Sequence, residues 1–394
     1  MLLELDDIKQ LVGEFFNGQY EVKKFLGEGS FAKVYLVKHN YLEDLRAMKI
    51  IKEPVSPATN IKSVFKEVML ATKLRHENII SIYDAGIMST FGQNKKDLAF
   101  FVMEYVQGGD LEQYLNSFIN SNILMPINKV LTLIRQILMG LNTLHMSNPP
   151  IIHRDLKLKN ILLTFDNCGE IVVKISDFGF SKEVTTKISD IDIVGTRPYM
   201  APECFKKTIS TMTDIYAVGV IFYQLLTNKF PCDMDMFSME DLLELKPWKE
   251  QFKPPSYHNK NVSTNIDEIV MKCLQINPKD RYQNASELLA DIEIVINNLE
   301  PAVDMTNRTE AIEDDYHYLI NNSLTNAFRL AKRENGLDMA IEILENEFLN
   351  DYEIRKHYGE TLKMWKSPNP DVKLISKAFT VNLSGKNYYL SIDL

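Results

Sequence analysis

Residues 153–160 read HRDLKLKN and concentrate charged and hydrogen-bonding side chains in eight positions. The stretch holds a histidine, an arginine, an aspartate, two lysines and an asparagine. Transfer of a phosphoryl group needs alignment of the reactants and neutralisation of negative charge, with little covalent chemistry by the protein. These residue types can supply both, but a solvated loop that is merely polar has the same composition. The surrounding sequence has to decide between the two.

A glycine-rich stretch, LGEGSFAKV, places Gly27 and Gly29 between two predicted strands. Glycine lets the backbone approach phosphates closely and adopt positive φ. Ala32 stands where a third glycine of a G-x-G-x-x-G pattern would lie, and no helix is predicted to follow. A Rossmann dinucleotide site is therefore disfavoured. Taken alone, the two glycines are equally typical of an ordinary hairpin.

The order of further motifs along the chain gives the strongest signal. Lys49 lies on a predicted strand after the glycines, and Glu67 lies on the next predicted helix. HRDLKLKN follows, and then DFG at Asp177–Gly179 and APE at Ala201–Glu203. In this order the motifs resemble the eukaryotic-type (Hanks-type) serine/threonine protein kinase family across about residues 20–298. Each motif alone is open to a structural interpretation, whereas their joint occurrence by chance is negligible.

The resemblance implies roles in the chemical step for three residues. Asp155 is expected to accept the proton of a substrate hydroxyl, and Lys157 to neutralise charge on the transferring phosphoryl group. Thr196, in GTRPYMAPE, is expected to steady both side chains. A lysine at the place of Lys157 is typical of serine/threonine kinases, so a serine/threonine protein kinase with protein substrates is implied.

The resemblance also implies how the cofactors are held. Lys49 is expected to reach the α- and β-phosphates of ATP, and Glu67 to pair with Lys49 and fix its position. Asn160 and Asp177 are expected to bind Mg²⁺, with Mn²⁺ as an alternative, because hard cations prefer oxygen ligands.

The same resemblance implies a pocket for the nucleotide. It implies an apolar slot for adenine, a gatekeeper at Met103, a hinge over 104–106 that offers backbone hydrogen bonds to the base, and a ribose contact at Asp110. The expected ATP-binding residues are Gly27, Glu28, Gly29, Val34, Ala47, Lys49, Met103, Glu104, Val106, Asp110 and Leu162. For Val34 and Leu162, ordinary core packing is the alternative interpretation.

Other matches to the family are structural or regulatory. Glu203 and Arg281 are expected to form a buried ion pair, and Asp214 to hold the backbone of the catalytic loop. Arg154 precedes the implied base, where the family often binds a phosphorylated activation-loop residue through charge-assisted hydrogen bonds. The regulatory candidates, which a solvated loop explains equally well, are Arg154, Lys182, Thr185, Thr186 and Ser189.

Composition excludes several other classes. The chain has 394 residues, 45% hydrophobic and 25% charged, which is typical of a globular protein. Lys+Arg of 44 against Asp+Glu of 53 gives a net charge of −9, so nucleic acid is not an expected partner. Four scattered cysteines predict neither a zinc site nor a disulfide framework. Neither a membrane span nor a signal peptide is expected, and the predicted location is the cytoplasm.

Hydrophobic periodicity predicts the elements that must position these residues. Residues 1–19 are predicted to be an amphipathic extension with a helix over 1–18. Residues 20–298 form the predicted kinase domain, with a small β-rich N-lobe and a large helical C-lobe. Residues 308–394 predict an accessory module of helices followed by a β-hairpin. The expected fold is α+β and bilobal, with a small C-terminal α/β extension.

Three functions remain to be separated by experiment. The first is an active serine/threonine protein kinase whose activation loop is autophosphorylated. The second is a catalytically weak kinase-like scaffold that acts through residues 308–394, which would also dock a partner or the chain itself. The third is a small-molecule phosphotransferase, which normally lacks APE and the counterpart of Arg281. Intact Lys49, Asp155 and Asp177 favour the first.

Overall fold

The fold was analysed in a computed structural model. It describes residues 15–16, 18–29, 32–55, 72, 74–89, 97–165, 170–177, 197–206, 208–249, 252–299, 380–383 and 386–389. Two compact units are distinguished. One contains residues 1–164 and 172–303, and the other contains 165–171 and 304–394.

A six-stranded antiparallel sheet forms the first part of the larger unit. Its spatial order is β1-β2-β3-β4-β6-β5. Its strands are β1 Phe15–Phe16, β2 Tyr20–Glu28, β3 Ala32–His39, β4 Leu45–Pro54, β5 Ile82–Ser89 and β6 Asp97–Glu104. Alternating apolar side chains of these strands build one continuous core that includes Tyr35, Met48 and Val102. This arrangement confirms the predicted β-rich N-lobe.

The register of this sheet aligns the residues implied for ATP binding. Val34 on β3 lies opposite Lys49 on β4, and Ala47 lies opposite Met103 on β6. Because the strands are neighbours in the sheet, these four positions come together across three adjacent strands. The sheet therefore fixes the spacing between the lysine and the apolar slot.

The rest of the larger unit is mainly helical, which confirms the predicted C-lobe. Its α-helices are α1 Leu111–Asn120, α2 Ile127–His145, α3 Thr211–Thr227, α4 Met239–Leu243, α5 Lys246–Lys249, α6 Pro255–His258, α7 Thr264–Cys273 and α8 Ala285–Leu299. Two short strands, β7 Ile161–Phe165 and β8 Ile171–Ile175, pair with each other. Helix α3 is buried from Thr213 to Thr227, as its apolar character on all sides predicts.

The sheet and the helices are joined through the loop at Asn78. The Asn78 amide donates to the carbonyl of Val173 at 3.0 Å and to the side-chain oxygen of Gln136 at 3.1 Å. Gly140 of α2 lies so close to this loop that an added Cβ would sit 2.7 Å from the carbonyl oxygen of Asn78. Glycine is required there by the close approach, not by a positive φ.

The two ends of the chain differ in how well they match the elements predicted from the sequence. The helix predicted over 1–18 is wrong at Phe15–Phe16, which pair as a strand with Glu21 and Tyr20. A free sheet edge offers unpaired backbone groups. Two residues from a segment with a helical hydrophobic pattern can still form hydrogen bonds with them. The smaller unit includes the predicted hairpin, with β9 Thr380–Leu383 antiparallel to β10 Lys386–Tyr389. The predicted module helices, and most of the helix predicted over 60–74, lie outside the described residues, and the domain boundaries stay predictions.

Candidate active site

Asp214, near the start of α3, holds the backbone of His153 and Arg154. Its Oδ2 accepts hydrogen bonds from the backbone N–H of His153 at 2.8 Å, and its Oδ1 from that of Arg154 at 2.9 Å. Arg154 has a φ of 70°, a conformation that costs free energy for a non-glycine residue. The carboxylate offsets this cost by giving a buried N–H a charged acceptor.

The charge of Asp214 is itself stabilised from α2. Burial would raise the pKa of the Asp214 carboxyl, but the hydrogen bond and charge of His145, with the N–H of Arg154, hold that pKa below its ordinary value. His145 Nε2 lies 2.9 Å from Asp214 Oδ2, and both side chains are 1% exposed. His145 was not identified from the sequence, although its apolar helical surroundings marked it as a buried polar residue.

His153 is held as a neutral ring in one tautomer. Burial lowers the pKa of His153, and this outweighs the nearby charges of Asp214 and Asp155. Its Nε2 lies 2.9 Å from the carbonyl oxygen of Ser176, so Nε2 donates. Its Nδ1 is then free to accept from the backbone N–H of Asp155 at 3.3 Å. The ring therefore links the Asp155 loop to the residue before Asp177.

Asp155, Lys157 and Asn160 form one hydrogen-bonded cluster. Lys157 Nζ lies 2.9 Å from Asp155 Oδ2. The Asn160 amide donates to the Asp155 carbonyl at 2.6 Å and to its Oδ2 at 3.2 Å. The Asp155 carboxylate is consequently oriented from two sides while it remains partly open to solvent, at 26% side-chain exposure.

Asp177 and Lys49 form an ion pair between the sheet and the catalytic loop. Lys49 Nζ lies 2.7 Å from Asp177 Oδ1. Burial acts to raise the pKa of Asp177, but the Lys49 ammonium outweighs it and keeps the carboxyl ionised. Asp177 has a φ of 60°, the second strained residue near the loop. The sequence predicted Glu67 as the partner of Lys49, and Glu67 lies outside the described residues.

Two oxygens in this cluster suit a divalent cation. The Asn160 amide nitrogen is engaged with Asp155, which turns its Oδ1 away, and Asp177 Oδ1 is engaged with Lys49. Among the described residues, no donor hydrogen-bonds Asn160 Oδ1 or Asp177 Oδ2. Amide and carboxylate oxygens are the ligands that Mg²⁺ and Mn²⁺ prefer. The donor set therefore fits the metal that the sequence implied.

The residues implied for the adenine pocket come from the six-stranded sheet and from the strand that follows the catalytic loop. Ala47 and Met103 are buried in the sheet, whereas Val34 and Leu162 are only half-buried. Within the described part of the chain, no hydrogen bond reaches the backbone N–H or C=O of Val106. Unpaired backbone groups at a half-buried position suit the edge of a nucleotide base.

A lysine that was not identified from the sequence holds the hinge at Glu104. Lys174 Nζ lies 2.9 Å from Glu104 Oε1, and the backbone N–H of Ser81 donates to Glu104 Oε2 at 3.2 Å. The Glu104 N–H donates to the carbonyl of Ser81 at 2.8 Å. The Glu104 side chain is thus committed to the protein, and its backbone position is held by three contacts.

Asp110 has a structural task in addition to its implied ribose contact. It is the N-cap of α1, where its Oδ1 accepts from the backbone N–H of Gln113 at 2.9 Å. It also forms a β-bridge with Leu162, which brings the start of α1 against the strand that follows the catalytic loop. Burial raises the pKa of the Asp110 carboxyl.

Glu203 and Arg281 are brought together as the sequence implied. The two guanidinium NH groups each lie 2.8 Å from a different Glu203 oxygen. The remaining Arg281 donors reach the carbonyls of Gln275, Met212 and Ile276 at 2.7, 3.0 and 3.1 Å. All five guanidinium donors are therefore satisfied, the condition under which a buried ion pair is tolerated.

The remaining predicted site residues lie partly inside and partly outside the described ranges. Gly27 and Glu28 are the last residues of β2, which pairs antiparallel with β3, and the Gly29 N–H donates to the carbonyl of Ala32 at 2.9 Å. The predicted residues that lie outside the described ranges are Glu67, Lys182, Thr185, Thr186, Ser189 and Thr196. Their roles stay predictions.

Comparison with known proteins decides the family. The family model described as "Protein kinase domain" matches residues 20–291. The chain belongs to the protein kinase family. This confirms the resemblance and the bilobal α+β fold that it implied.

Three of the curated relatives are serine/threonine-protein kinases of bacteria. A probable serine/threonine-protein kinase of Clostridium acetobutylicum is 30% identical over 292 residues, which cover 73% of this chain and 41% of the relative. PrkC of Bacillus subtilis is 30% identical over 287 residues, covering 72% and 41%. PknB of Mycobacterium leprae is 28% identical over 279 residues, covering 70% and 42%. The matched region thus spans about two fifths of these relatives' length.

Membership of this family implies that ATP and a divalent metal are the cofactors. None of the helices in the described ranges combines the length and the apolar character that crossing a bilayer requires.

Proposed function

We propose that this chain is a protein kinase that transfers the γ-phosphoryl group of Mg-ATP to serine and threonine hydroxyls of proteins. The observation that supports this most directly is the cluster of Asp155, Lys157 and Asn160, which lies next to the Lys49–Asp177 pair through His153 and Ser176. It combines a partly exposed carboxylate, two ammonium groups and two free oxygens, the set that phosphoryl transfer requires.

Each residue of the cluster has a separate task in this proposal. Asp155 accepts the proton of the substrate hydroxyl, and its carboxylate is aimed by the Asn160 amide. Lys157 lies beside that carboxylate, where it compensates negative charge on the transferring group. When bound, Mg-ATP supplies the phosphoryl group and spreads its charge over the metal. Lys49 holds Asp177 ionised and reaches the phosphates.

The outer contacts contribute by fixing positions. Asp214 and His153 fix the backbone of the loop, and Lys174 fixes the hinge through Glu104. Positioning counts because a misplacement of about 1 Å can reduce turnover on the order of 100-fold. Thr196 and Glu67 belong to the same proposal by family resemblance alone.

Regulation by phosphorylation of the activation loop is also proposed. Arg154 lies directly before Asp155, so a phosphate that binds Arg154 would affect the position of the base. The acceptors proposed are Thr185, Thr186 and Ser189. Replacing all three by alanine should lower turnover, and unchanged turnover would rule them out. The docking role of residues 308–394 stays a prediction of the same kind.

The proposal is tested with three peptides that differ only in a serine, threonine or tyrosine acceptor. Mass spectrometry of the products identifies the modified residue. We expect phosphorylation of the serine and threonine peptides and none of the tyrosine peptide. Asp155→Asn is the control, and transfer that persists in it would argue against the assigned base. Absence of transfer to all three, with intact ATP binding, would favour a kinase-like scaffold.

A further inference from the structure

A cationic surface lies on the C-lobe around one exposed tyrosine. We name it the Tyr257 patch and define it as Lys229, Lys253, Tyr257, His258 and Lys260. The Tyr257 ring is 59% exposed, and Lys253 Nζ and Lys260 Nζ lie 5.6 and 5.9 Å from its centroid. Lys229 Nζ lies 3.4 Å from His258 Nδ1. Two ammonium groups thus lie over the accessible Tyr257 ring, and a third lies beside the neighbouring ring of His258.

The lysines of the patch take part in none of the ion pairs found among the described residues. In the ranges that the structure describes, no carboxylate lies within ion-pair distance of Lys229, Lys253 or Lys260. Lys246, by comparison, contacts both Asp241 and Glu244.

The nearby acid Asp267 accepts from the backbone N–H of Ser256 through its Oδ1 at 2.9 Å, and among the described residues it forms no ion pair with the three lysines. Burial lowers the pKa of His258, and the charges of Lys229 and Lys260 lower it further, which agrees with a positive local potential.

A chain of contacts leads from the patch toward the catalytic loop. Phe230 follows Lys229, and its ring meets that of Tyr199 edge to face, with centroids 5.5 Å apart. The Tyr199 hydroxyl donates to Gln224 at 2.7 Å, and Tyr199 and Asp155 line the same small cavity. The patch is therefore linked, through Phe230, Tyr199 and the wall of this cavity, to the part of the C-lobe that holds the proposed base.

We propose that the Tyr257 patch binds an acidic segment, rich in Asp or Glu, of the protein whose hydroxyl is phosphorylated at Asp155. This inference rests on the proposed function and names its substrate class. Carboxylates complement the three ammonium groups, and the tyrosine ring packs on the aliphatic parts of the bound side chains. Nucleic acid fits less well, because three lysines on a chain of net charge −9 offer few phosphate contacts.

Binding can be measured without turnover. Two fluorescent serine peptides are compared, identical except that one has a flank of glutamates and the other a flank of glutamines. Fluorescence anisotropy is recorded with the full chain bearing Asp155→Asn. We expect the glutamate peptide to bind more tightly at about 0.05 M salt, and the difference to shrink at about 0.5 M because exposed charges are then screened.

Matched variants separate the patch from general charge effects. Lys253→Gln with Lys260→Gln should weaken binding of the glutamate peptide about five-fold, as expected for two exposed ion pairs, and leave the glutamine peptide unchanged. The control, Lys272→Gln with Lys279→Gln, removes the same charge. It also includes a lysine that stacks on a tyrosine, Tyr282, at 3.8 Å, and it should change neither peptide.

A charge inversion supplies the decisive result. Lys253→Glu with Lys260→Glu should prefer a lysine-flanked peptide over the glutamate peptide, an inversion that structural damage cannot produce. Equal binding of the two original peptides by the parent chain would overturn the inference. A retained preference without any phosphoryl transfer would reject the proposed function and leave the patch standing.

Discussion

Replacing Arg281 should destabilise the C-lobe far more than replacing any exposed arginine. The Arg281 side chain is 0% exposed and donates five hydrogen bonds, two of them to Glu203. Arg281→Ala leaves the Glu203 carboxylate buried with Thr213 as its remaining hydrogen-bond donor, at 3.1 Å. Removing one partner of a buried pair costs about 3–5 kcal/mol, a large share of a typical stability of about 5–15 kcal/mol.

A graded series makes this prediction sharper. Arg281→Lys keeps the charge but has three donors for five acceptors, so at least two hydrogen bonds are lost, at about 1–1.5 kcal/mol each. Its loss of stability should therefore be about 2–3 kcal/mol, between those of the parent chain and Arg281→Ala. Glu203→Gln with Arg281→Met should cost less than the two single changes together, because no unpaired charge remains.

The matched control is the exposed pair of Arg135 and Glu293. The Arg135 Nε lies 2.6 Å from Glu293 Oε1, but the side chains are 42% and 36% exposed. Arg135→Ala should cost at most about 1 kcal/mol. Urea unfolding followed by fluorescence measures all variants. Equal losses for Arg281→Ala and Arg135→Ala would refute the reasoning from burial and complete hydrogen bonding.

Three further predictions concern the catalytic loop. Asp214→Asn turns an amide N–H toward a backbone N–H of the loop. It should lower the free energy of unfolding by about 1–3 kcal/mol and also reduce kcat, and an unchanged kcat would show that the loop does not depend on this carboxylate. Lys49→Met removes the partner of Asp177 and should reduce turnover on the order of 100-fold or more, whereas Lys279→Met, at an exposed site, should not. Because burial holds the pKa of His153 below 6.5, the unfolded chain binds a proton that the folded chain does not, so stability should fall as the pH drops below about 6.5. His153→Gln should flatten this part of the pH profile of urea midpoints, and an equally steep profile would contradict the assignment.

Sequence reasoning located the elements and the paired residues that family spacing specifies. The strands over 20–51 and the buried helix at Thr211–Thr227 follow from alternation and from apolar content on all sides. Glu203 with Arg281, and Asp214 with the loop backbone, were identified because the motifs fix which residue faces which.

Other contacts depend on tertiary packing and had no sequence signal. Lys174 meets Glu104 only because β8 packs behind the hinge, and nothing in its local sequence distinguishes it from a solvated lysine. Ser176 gains its role by accepting from His153, a contact between distant residues. The strand at Phe15–Phe16 exists because the edge of β2 was available, which hydrophobic periodicity cannot show.

The most direct test of the central claim is a single-turnover measurement of γ-phosphoryl transfer to a serine peptide by the parent chain and by Asp155→Asn. Asn retains the shape and the partners of Asp155 but cannot take a proton. The account predicts that ATP affinity stays the same while the rate of the chemical step falls about 10²–10⁴-fold, the contribution of a general base. An equal rate in both proteins, at equal ATP affinity, would contradict it.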